Sequence, residues 1–445
     1  MSRRCRPNGN VALVSASIET EAPSPAPRAA NPRALAAWCV FDWANSAFPT
    51  VIVTFVFSAY FASAVAENAT EGTAQWGHAV SLSALAIGIL SPIFGAIADA
   101  SGRRKPWLFG FTAACAVLTA TLWFARPEPS YALYALVMFA LANAAFEIAT
   151  VFYNAMLPAL VAPARMGRIS GWGWGLGYLG GLACLVAVLF GLVQADPPPF
   201  GLDPDAAEPV RAAAILVSVW IVLFAVPIFL FTPDAPSSGL GAGAAVRRGL
   251  AQLVETARRI RQYGNIARFL IARLLYIDGL DTLFAFGGIY AAGSFGMTTA
   301  EIIMFGIAIN VTAGLGAAAF AWVDDAIGAK RTILIALVGL VAFGTPLLFA
   351  EGKFWFWALA LPLGIFFGPA QAASRSLMAR LAPPQLSAEM FGLFALSGRA
   401  TAFLGPAVLA WATLAFESQR AGMATVLVFI VAGFVLLIPV REARP

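Results

Sequence analysis

Gly95-Ala-Ile-Ala-Asp99-Ala-Ser-Gly102-Arg103-Arg104-Lys105 joins two long apolar stretches, and a worn copy, Ala321-Trp-Val-Asp-Asp325-Ala-Ile-Gly328-Ala-Lys330-Arg331, follows with Asp325 226 positions after Asp99. An acidic residue, a glycine turn and a basic cluster between two apolar runs suit a tight hairpin at one membrane face. A duplicated half in a chain of 445 residues points to transport proteins built from internal repeats. Gly95, Asp99, Gly102, Arg103, Arg104, Asp325 and Gly328 are therefore candidate gate residues. Asp99 and Arg103 are expected to make the contacts that hold one conformation.

Composition sets the class independently. The chain is 60% hydrophobic and 11% charged, where a soluble domain carries roughly 25% charged residues. Only a bilayer can receive so much apolar surface. The net charge of +5 is accordingly read for topology, and no nucleic acid is expected as partner. Cys5, Cys39, Cys115 and Cys184 show no paired spacing, and the last three lie in apolar runs as small core residues. The first 33 residues lack an apolar core followed by a cleavage site, so they are read as a disordered cytoplasmic tail and not as a signal peptide.

Runs of about 20 apolar residues, the length that crosses a bilayer, start near Ala34, Trp76, Pro106, Tyr131, Arg168, Arg211, Ile266, Thr299, Thr332, Phe354, Leu386 and Met423. Assigned to alternate sides, 21 of the 28 basic residues fall in one set of connecting segments and four in the other. That bias places both termini in the cytoplasm. The expected fold is all-α: twelve transmembrane helices in two six-helix bundles, 34–231 and 266–440, with short cytoplasmic tails at 1–33 and 441–445. The long loop Thr232–Asn265 reads as a linker containing an amphipathic helix, with Leu250, Leu253, Val254, Ala257 and Ile260 on one side and arginines on the other. A helix of that kind lies on a membrane surface or binds a partner.

Charges within apolar spans are costly and must face protein or water. Asp42, Glu147, Asp278 and Asp281 stand against Arg273, Arg375 and Arg399. Asn143, Glu147 and Asn154 share one stripe of span 4, which makes Glu147 a candidate proton-coupling carboxyl or ligand of a substrate ammonium group. Asp42, Asn45 and Ser46 form a polar stripe in span 1 that ends at Pro49, where the helix is expected to weaken. Gln371 and Arg375 share a face of span 10. Arg375 and Arg399 either receive a substrate carboxylate through the planar guanidinium fork or pair with Asp42 and Asp278 as gate salt bridges. Gly173, Gly177 and Gly181 sit four apart inside an apolar helix, a packing ridge and not a dinucleotide loop. His78 is placed at a span's outer start, and Asn68-Ala-Thr70 is a glycosylation sequon that matters only in a eukaryotic host. No catalytic arrangement, metal-ligand spacing or phosphate loop appears, so the chain is expected to be no enzyme and to need no cofactor or metal.

The hairpin and its copy resemble the signature loop of the major facilitator superfamily. Six further segments resemble a narrower group: Phe41-Asp-Trp-Ala-Asn-Ser-Ala-Phe48, Phe152-Tyr-Asn-Ala-Met-Leu-Pro158, Ser170-Gly-Trp-Gly-Trp-Gly-Leu-Gly-Tyr-Leu-Gly-Gly181, Tyr276-Ile-Asp-Gly-Leu-Asp-Thr282, Gln371-Ala-Ala-Ser-Arg-Ser376 and the stretch from Phe391 to Pro406. In order along the chain they are similar to the vacuolar amino-acid effluxers of fungal autophagy and their bacterial relatives. The resemblance implies alternating access by a monomer in the membrane, with Asp42, Asn45, Tyr153, Asn154, Asp278, Gln371 and Arg375 facing the path. Its implied cargo is a small organic solute such as a neutral amino acid, with protons as a candidate coupling ion. A lipid or drug exporter and a non-transporting scaffold or sensor are the alternatives. Arg-over-Lys, Ala-rich composition points to a bacterial inner membrane. The second hairpin has Ala321 and Ala329 where the first has Gly95 and Arg103, and it is expected to gate less strongly.

Overall fold

The computed structural model describes residues 31–258 and 262–442. The expected tail at 1–33 therefore lies almost wholly outside the described residues, as do Ile260 and the last three positions.

The described chain is all-helical. Its α-helices are α1 (Pro32–Asn45), α2 (Phe57–Tyr60), α3 (Ala69–Ser101), α4 (Lys105–Thr121), α5 (Ala132–Leu160), α6 (Met166–Val188) and α7 (Glu208–Phe231). They continue as α8 (Ala242–Arg258), α9 (Gly264–Phe295), α10 (Thr299–Ile327), α11 (Ala329–Leu347), α12 (Lys353–Leu381), α13 (Ser387–Arg399), α14 (Leu404–Ala415) and α15 (Gln419–Leu437). Eleven helical segments among the described residues are long and apolar enough to cross a membrane. The expected starts agree with them to within a few residues, save that α3 begins seven residues before Trp76. The expected twelfth, α9, has the length, at 32 residues. It is less apolar because Arg268, Arg273, Asp278 and Asp281 all fall within its first 18 residues.

Two departures from straight helix bear on function. Proline lacks the amide hydrogen that an α-helix needs in its interior, and around Pro49 the first span widens into a π-helical stretch, Phe48–Phe55, as the polar stripe ending there leads one to expect. The second departure was not foreseen. The span expected from Leu386 is broken between α13 and α14 by turns at Ala400–Phe403. Pro406 sits in the first turn of the restarted helix, where a missing amide hydrogen costs little.

Helices α1, α3, α4, α5, α6 and α7 pack among themselves, as do α9 to α15. Two main seams join these groups, α3 against α13 and α6 against α10, with α12 also against α6 and α13 against α5. Small residues make both seams close. A Cβ at Gly392 of α13 would lie 2.6 Å from Pro92 Cα of α3, and one at Gly171 of α6 would lie 2.6 Å from Ala321 Cβ of α10. The glycine ridge of α6 serves the same purpose against α1, where a Cβ at Gly177 would lie 2.7 Å from Ser46 Oγ. Both hairpins, Ser101–Lys105 and Ile327–Ala329, lie at one end of the molecule, here called basal.

Candidate functional site

Ionisable and polar side chains occupy three levels, from the basal hairpins toward mid-span. At the basal level each hairpin carboxylate receives the backbone N–H of a helix start from the other half. Asp99 Oδ2 accepts from Glu389 N–H of α13 at 2.9 Å, and Asp325 Oδ1 accepts from Arg168 N–H of α6 at 3.1 Å. A carboxylate at a helix N-terminus satisfies an orphan donor and complements the helix dipole. Of the two hairpin residues expected to make the holding contacts, Asp99 reaches the other half and Arg103 meets Asp234 of its own half. Arg104 Nη2 pairs with Asp99 at 3.0 Å, while the Arg103 side chain is 60% exposed and lies 3.7 Å from Asp234. Gly102 turns the chain with φ of 84°, which directs Arg104 back under the bundle, where its Nη1 donates to Ala155 O at 3.0 Å.

Two residues that sequence reasoning passed over complete the hairpins. Asp234 Oδ1 accepts the Arg104 and Lys105 N–H groups at 3.0 and 3.2 Å. Glu442 accepts those of Ala329 and Lys330 at 3.0 and 2.8 Å. Each follows shortly after the last helix of its half, and that matched position was the available signal. The second hairpin is not the poorer one. With alanine at 329, its guanidinium comes from α12: Arg380 Nη1 pairs with Asp324 at 2.6 Å and with Glu442 at 2.9 Å. Ser376 also donates to Asp324.

The second level is a largely buried cross-half pair. Arg375 Nη1 of α12 donates to Asp42 Oδ2 of α1 at 2.9 Å and reaches Asn154 Oδ1 at 3.5 Å. Its Nε and Nη2 donate to the hydroxyl and carbonyl of Ser170 on α6 at 2.9 and 2.7 Å. The guanidinium carbon stands 4.7 Å from the Trp38 ring and 5.6 Å from that of Tyr153. Those two rings stack at 4.4 Å, and Tyr153 O–H donates to Trp38 O at 3.1 Å. Trp38 and Tyr153 are fully buried and Arg375 is 3% exposed. The guanidinium is thus nearly closed to solvent, while the Asp42 side chain stays 14% exposed. Gly173 makes room for it, because a Cβ there would fall on the Asp42 carboxylate and lie 2.9 Å from Arg375 Nη2. Gln371 is half-buried one turn before Arg375. Asn45 is engaged by Thr150, its Nδ2 donating at 3.1 Å.

The third level lies seven residues along α5 from Asn154, about 10 Å of helix, and it is open. Glu147 forms an ion pair with Arg399, whose side chain is 34% exposed. Asp281 of α9 is exposed and lies within electrostatic reach of Arg399 and Arg273. Arg273 is anchored by Phe394 O at 2.7 Å and Ser397 Oγ at 2.8 Å and lies 3.5 Å from the Phe394 ring centre. Asn143 bonds Ser83 Oγ at 2.8 Å. Glu147 is thus no isolated carboxyl, although nothing near it in sequence is basic.

Asp278 corrects the expectation of an arginine partner. It is 3% exposed, and its Oδ2 accepts the Gly405 N–H at 3.0 Å, so that it caps the restarted α14 from a neighbouring helix. Its other oxygen has no hydrogen-bond partner, nor does the adjacent Thr282 hydroxyl. Among the readings held open for Arg375 and Arg399, Asp42 and Glu147 are the partners found.

A family profile described as "Vacuole effluxer Atg22 like" matches residues 77–444. An "Uncharacterized MFS-type transporter YxiO" of Bacillus subtilis (strain 168) is 28% identical over 415 residues, 91% of this chain and 94% of that one. "Autophagy-related protein 22-1" of Penicillium rubens is 25% identical over 303 residues, 62% of this chain, which spans 50% of that relative's length. Among solved structures, the proton:xylose symporter XylE superposes with a TM-score of 0.68 at 12% identity, covering 92% of this chain and 96% of the other. The fucose transporter FucP in its outward conformation gives 0.63 at 14% identity, covering 93% and 99%. These similarities show the transporter fold.

Proposed function

The chain belongs to the Atg22-like vacuole effluxer family, a major facilitator transporter and a multi-pass integral membrane protein, and from that premise we propose a secondary active transporter that moves a small zwitterionic solute, such as a neutral amino acid, by alternating access. Twelve spans, with α9 as the seventh, leave both termini at the basal end. The arginine and lysine surplus there makes it the cytoplasmic face of a bacterial inner membrane. The bundles are residues 34–231 and 266–440, joined by the linker that carries α8.

The observation that carries the reading is the contrast between two cross-half ion pairs. The Arg375 side chain is 4% exposed against 34% for Arg399, which stands beside the exposed Asp281, while Asp42 and Glu147 are alike at 14%. In the open group Arg399 offers a planar fork for a carboxylate, and Glu147 and Asp281 offer acceptors for an ammonium group. A zwitterion entering there would compete for both members of the Glu147–Arg399 pair. That pair joins α5 to α13, so its exchange for substrate loosens one half from the other. With the basal end latched, this conformation receives solute from the opposite side.

Asp278 is the better candidate for a coupling proton than Glu147. Glu147 has its cation, whereas Asp278 is buried with one oxygen unpartnered and no ion pair. A charge so placed is costly unless neutralised.

The test is uptake into and efflux from proteoliposomes of labelled neutral amino acids under an imposed pH gradient. Saturable flux that Glu147→Gln or Arg399→Gln abolishes is expected. Asp278→Asn is expected to leave exchange intact while removing gradient-driven accumulation. Absence of flux for neutral amino acids together with binding of lipophilic cations would favour the drug-exporter reading instead.

A further inference from the structure

Helix α8 is amphipathic as expected, yet it turns its apolar face away from the protein. It docks through a stripe of small and polar residues. Ala245, Gly249 and Thr256 are buried there, with Gln252 half-buried between them. Gly249 lies so close to α3 that a Cβ would come within 2.7 Å of Ile97 Cα. Gln252 Nε2 donates to Glu389 Oε2 at 2.9 Å, and Glu389 is the α13 residue whose N–H holds Asp99. The docked face of α8 therefore reaches both sides of the α3–α13 seam.

At about 100° per residue, Val246, Leu250, Leu253, Val254 and Ala257 form a second face roughly a third of a turn from the docked one. Val246, Leu250 and Val254 are 40%, 41% and 50% exposed. Arg247 and Arg258, both exposed, flank this face on its far side, and Arg248 follows them. Ile97 lies four residues before the end of α3, about 6 Å of helix, so α8 sits at the rim of the membrane-crossing part and not beyond it. An apolar stripe edged by arginine at that depth matches a bilayer's interfacial layer, its charge complementary to acidic headgroups.

We propose that α8 is an interfacial helix that binds anionic phospholipid in the basal leaflet and, through Gln252 and Gly249, passes that anchorage to the α3–α13 gate. Anionic lipid holds α8 in place, and α8 holds Glu389 and so the Asp99 latch. The surface is independent of the cargo, and its test needs no transport assay.

The full chain with Cys5→Ser is labelled with a nitroxide at Val254→Cys or at Ala251→Cys. It is reconstituted in phosphatidylcholine bilayers with or without phosphatidylglycerol. In phosphatidylglycerol-containing bilayers the Val254 label should collide preferentially with oxygen and the Ala251 label with a water-soluble nickel chelate. The contrast should be lost without phosphatidylglycerol, and lost in the Arg247→Gln, Arg248→Gln, Arg258→Gln triple variant. A water-accessible label at Val254 in anionic bilayers overturns the proposal. A contrast indifferent to lipid charge overturns headgroup recognition. The gate arm uses alkylation of Ser387→Cys, buried in the seam. The triple variant and Gln252→Ala should both accelerate it, and acceleration by Gln252→Ala alone overturns the lipid's hold on the gate.

Discussion

Arg375 on α12 and Asp42 on α1, 333 positions apart in the chain, meet at 2.9 Å inside a cage of Trp38, Tyr153 and Trp174. Removing one member of a buried ion pair leaves the other uncompensated, at a cost of about 3–5 kcal/mol. Asp42→Asn or Arg375→Gln should therefore each lower thermal stability in detergent sharply, and the double variant should lose less than the sum of the two. Strict additivity in the double-mutant cycle would show that the pair does not act as a unit.

The basal latch makes a contrast between neighbours. Arg104→Ala should unlock the α3–α13 seam, read as faster alkylation of Ser387→Cys, because Arg104 is the buried partner of Asp99. Arg103→Ala should leave that rate almost unchanged, since an exposed pair contributes at most about 1 kcal/mol. Equal effects at the two positions would remove the assignment.

Gly173→Ala places a methyl group on the Asp42 carboxylate. Overpacking of this kind costs about 1–3 kcal/mol, and here it also disturbs the pair with Arg375. Gly110→Ala, with nothing within 4 Å of the new methyl group, should be neutral or gain up to about 1 kcal/mol of helix propensity. Unfolding curves of the two variants decide the matter.

Asp278 works as a cap, and the cap separates two substitutions. Asp278→Asn keeps an acceptor for the Gly405 N–H and should retain most stability, while Asp278→Ala loses it at about 1–2 kcal/mol. Should the alanine variant be as stable as the asparagine one, the break at Ala400–Phe403 does not depend on this side chain.

Much of the architecture was open to reading from one dimension. Span positions and the repeat of Asp99 at Asp325 follow from local hydropathy and spacing, and the π-helical widening at Pro49 follows from one missing amide hydrogen. The pairings were not open in that way. Glu147 has no basic neighbour along its own helix, and Arg399 reaches it from 252 positions away. Periodicity says which face of a helix is polar but not which other helix that face meets, so Asp42 and Asp278 could each be assigned either arginine. Asp278 was misread for a further reason: its partner is a backbone N–H, exposed only because α14 restarts at mid-span, and Gly405-Pro406 was the one trace of that restart. Asp234 and Glu442 escaped notice because they follow the apolar runs where attention to spans stops.

The two hairpins reach the same closure by different wiring. In the first half the guanidinium belongs to the hairpin itself, at Arg104. In the second it is Arg380, borne on α12 five residues after Arg375, about 7.5 Å along one rigid axis. Arg375 and the arginine of the Asp324–Glu442 latch thus ride on one helix, and a displacement of α12 would move both. The Glu147–Arg399 pair is tied to the Asp99 latch in the same way, Arg399 through α13, which also carries Glu389, and Glu147 through α5, which carries Ala155. Each latch is thus tied to one of the two cross-half ion pairs through a continuous helix.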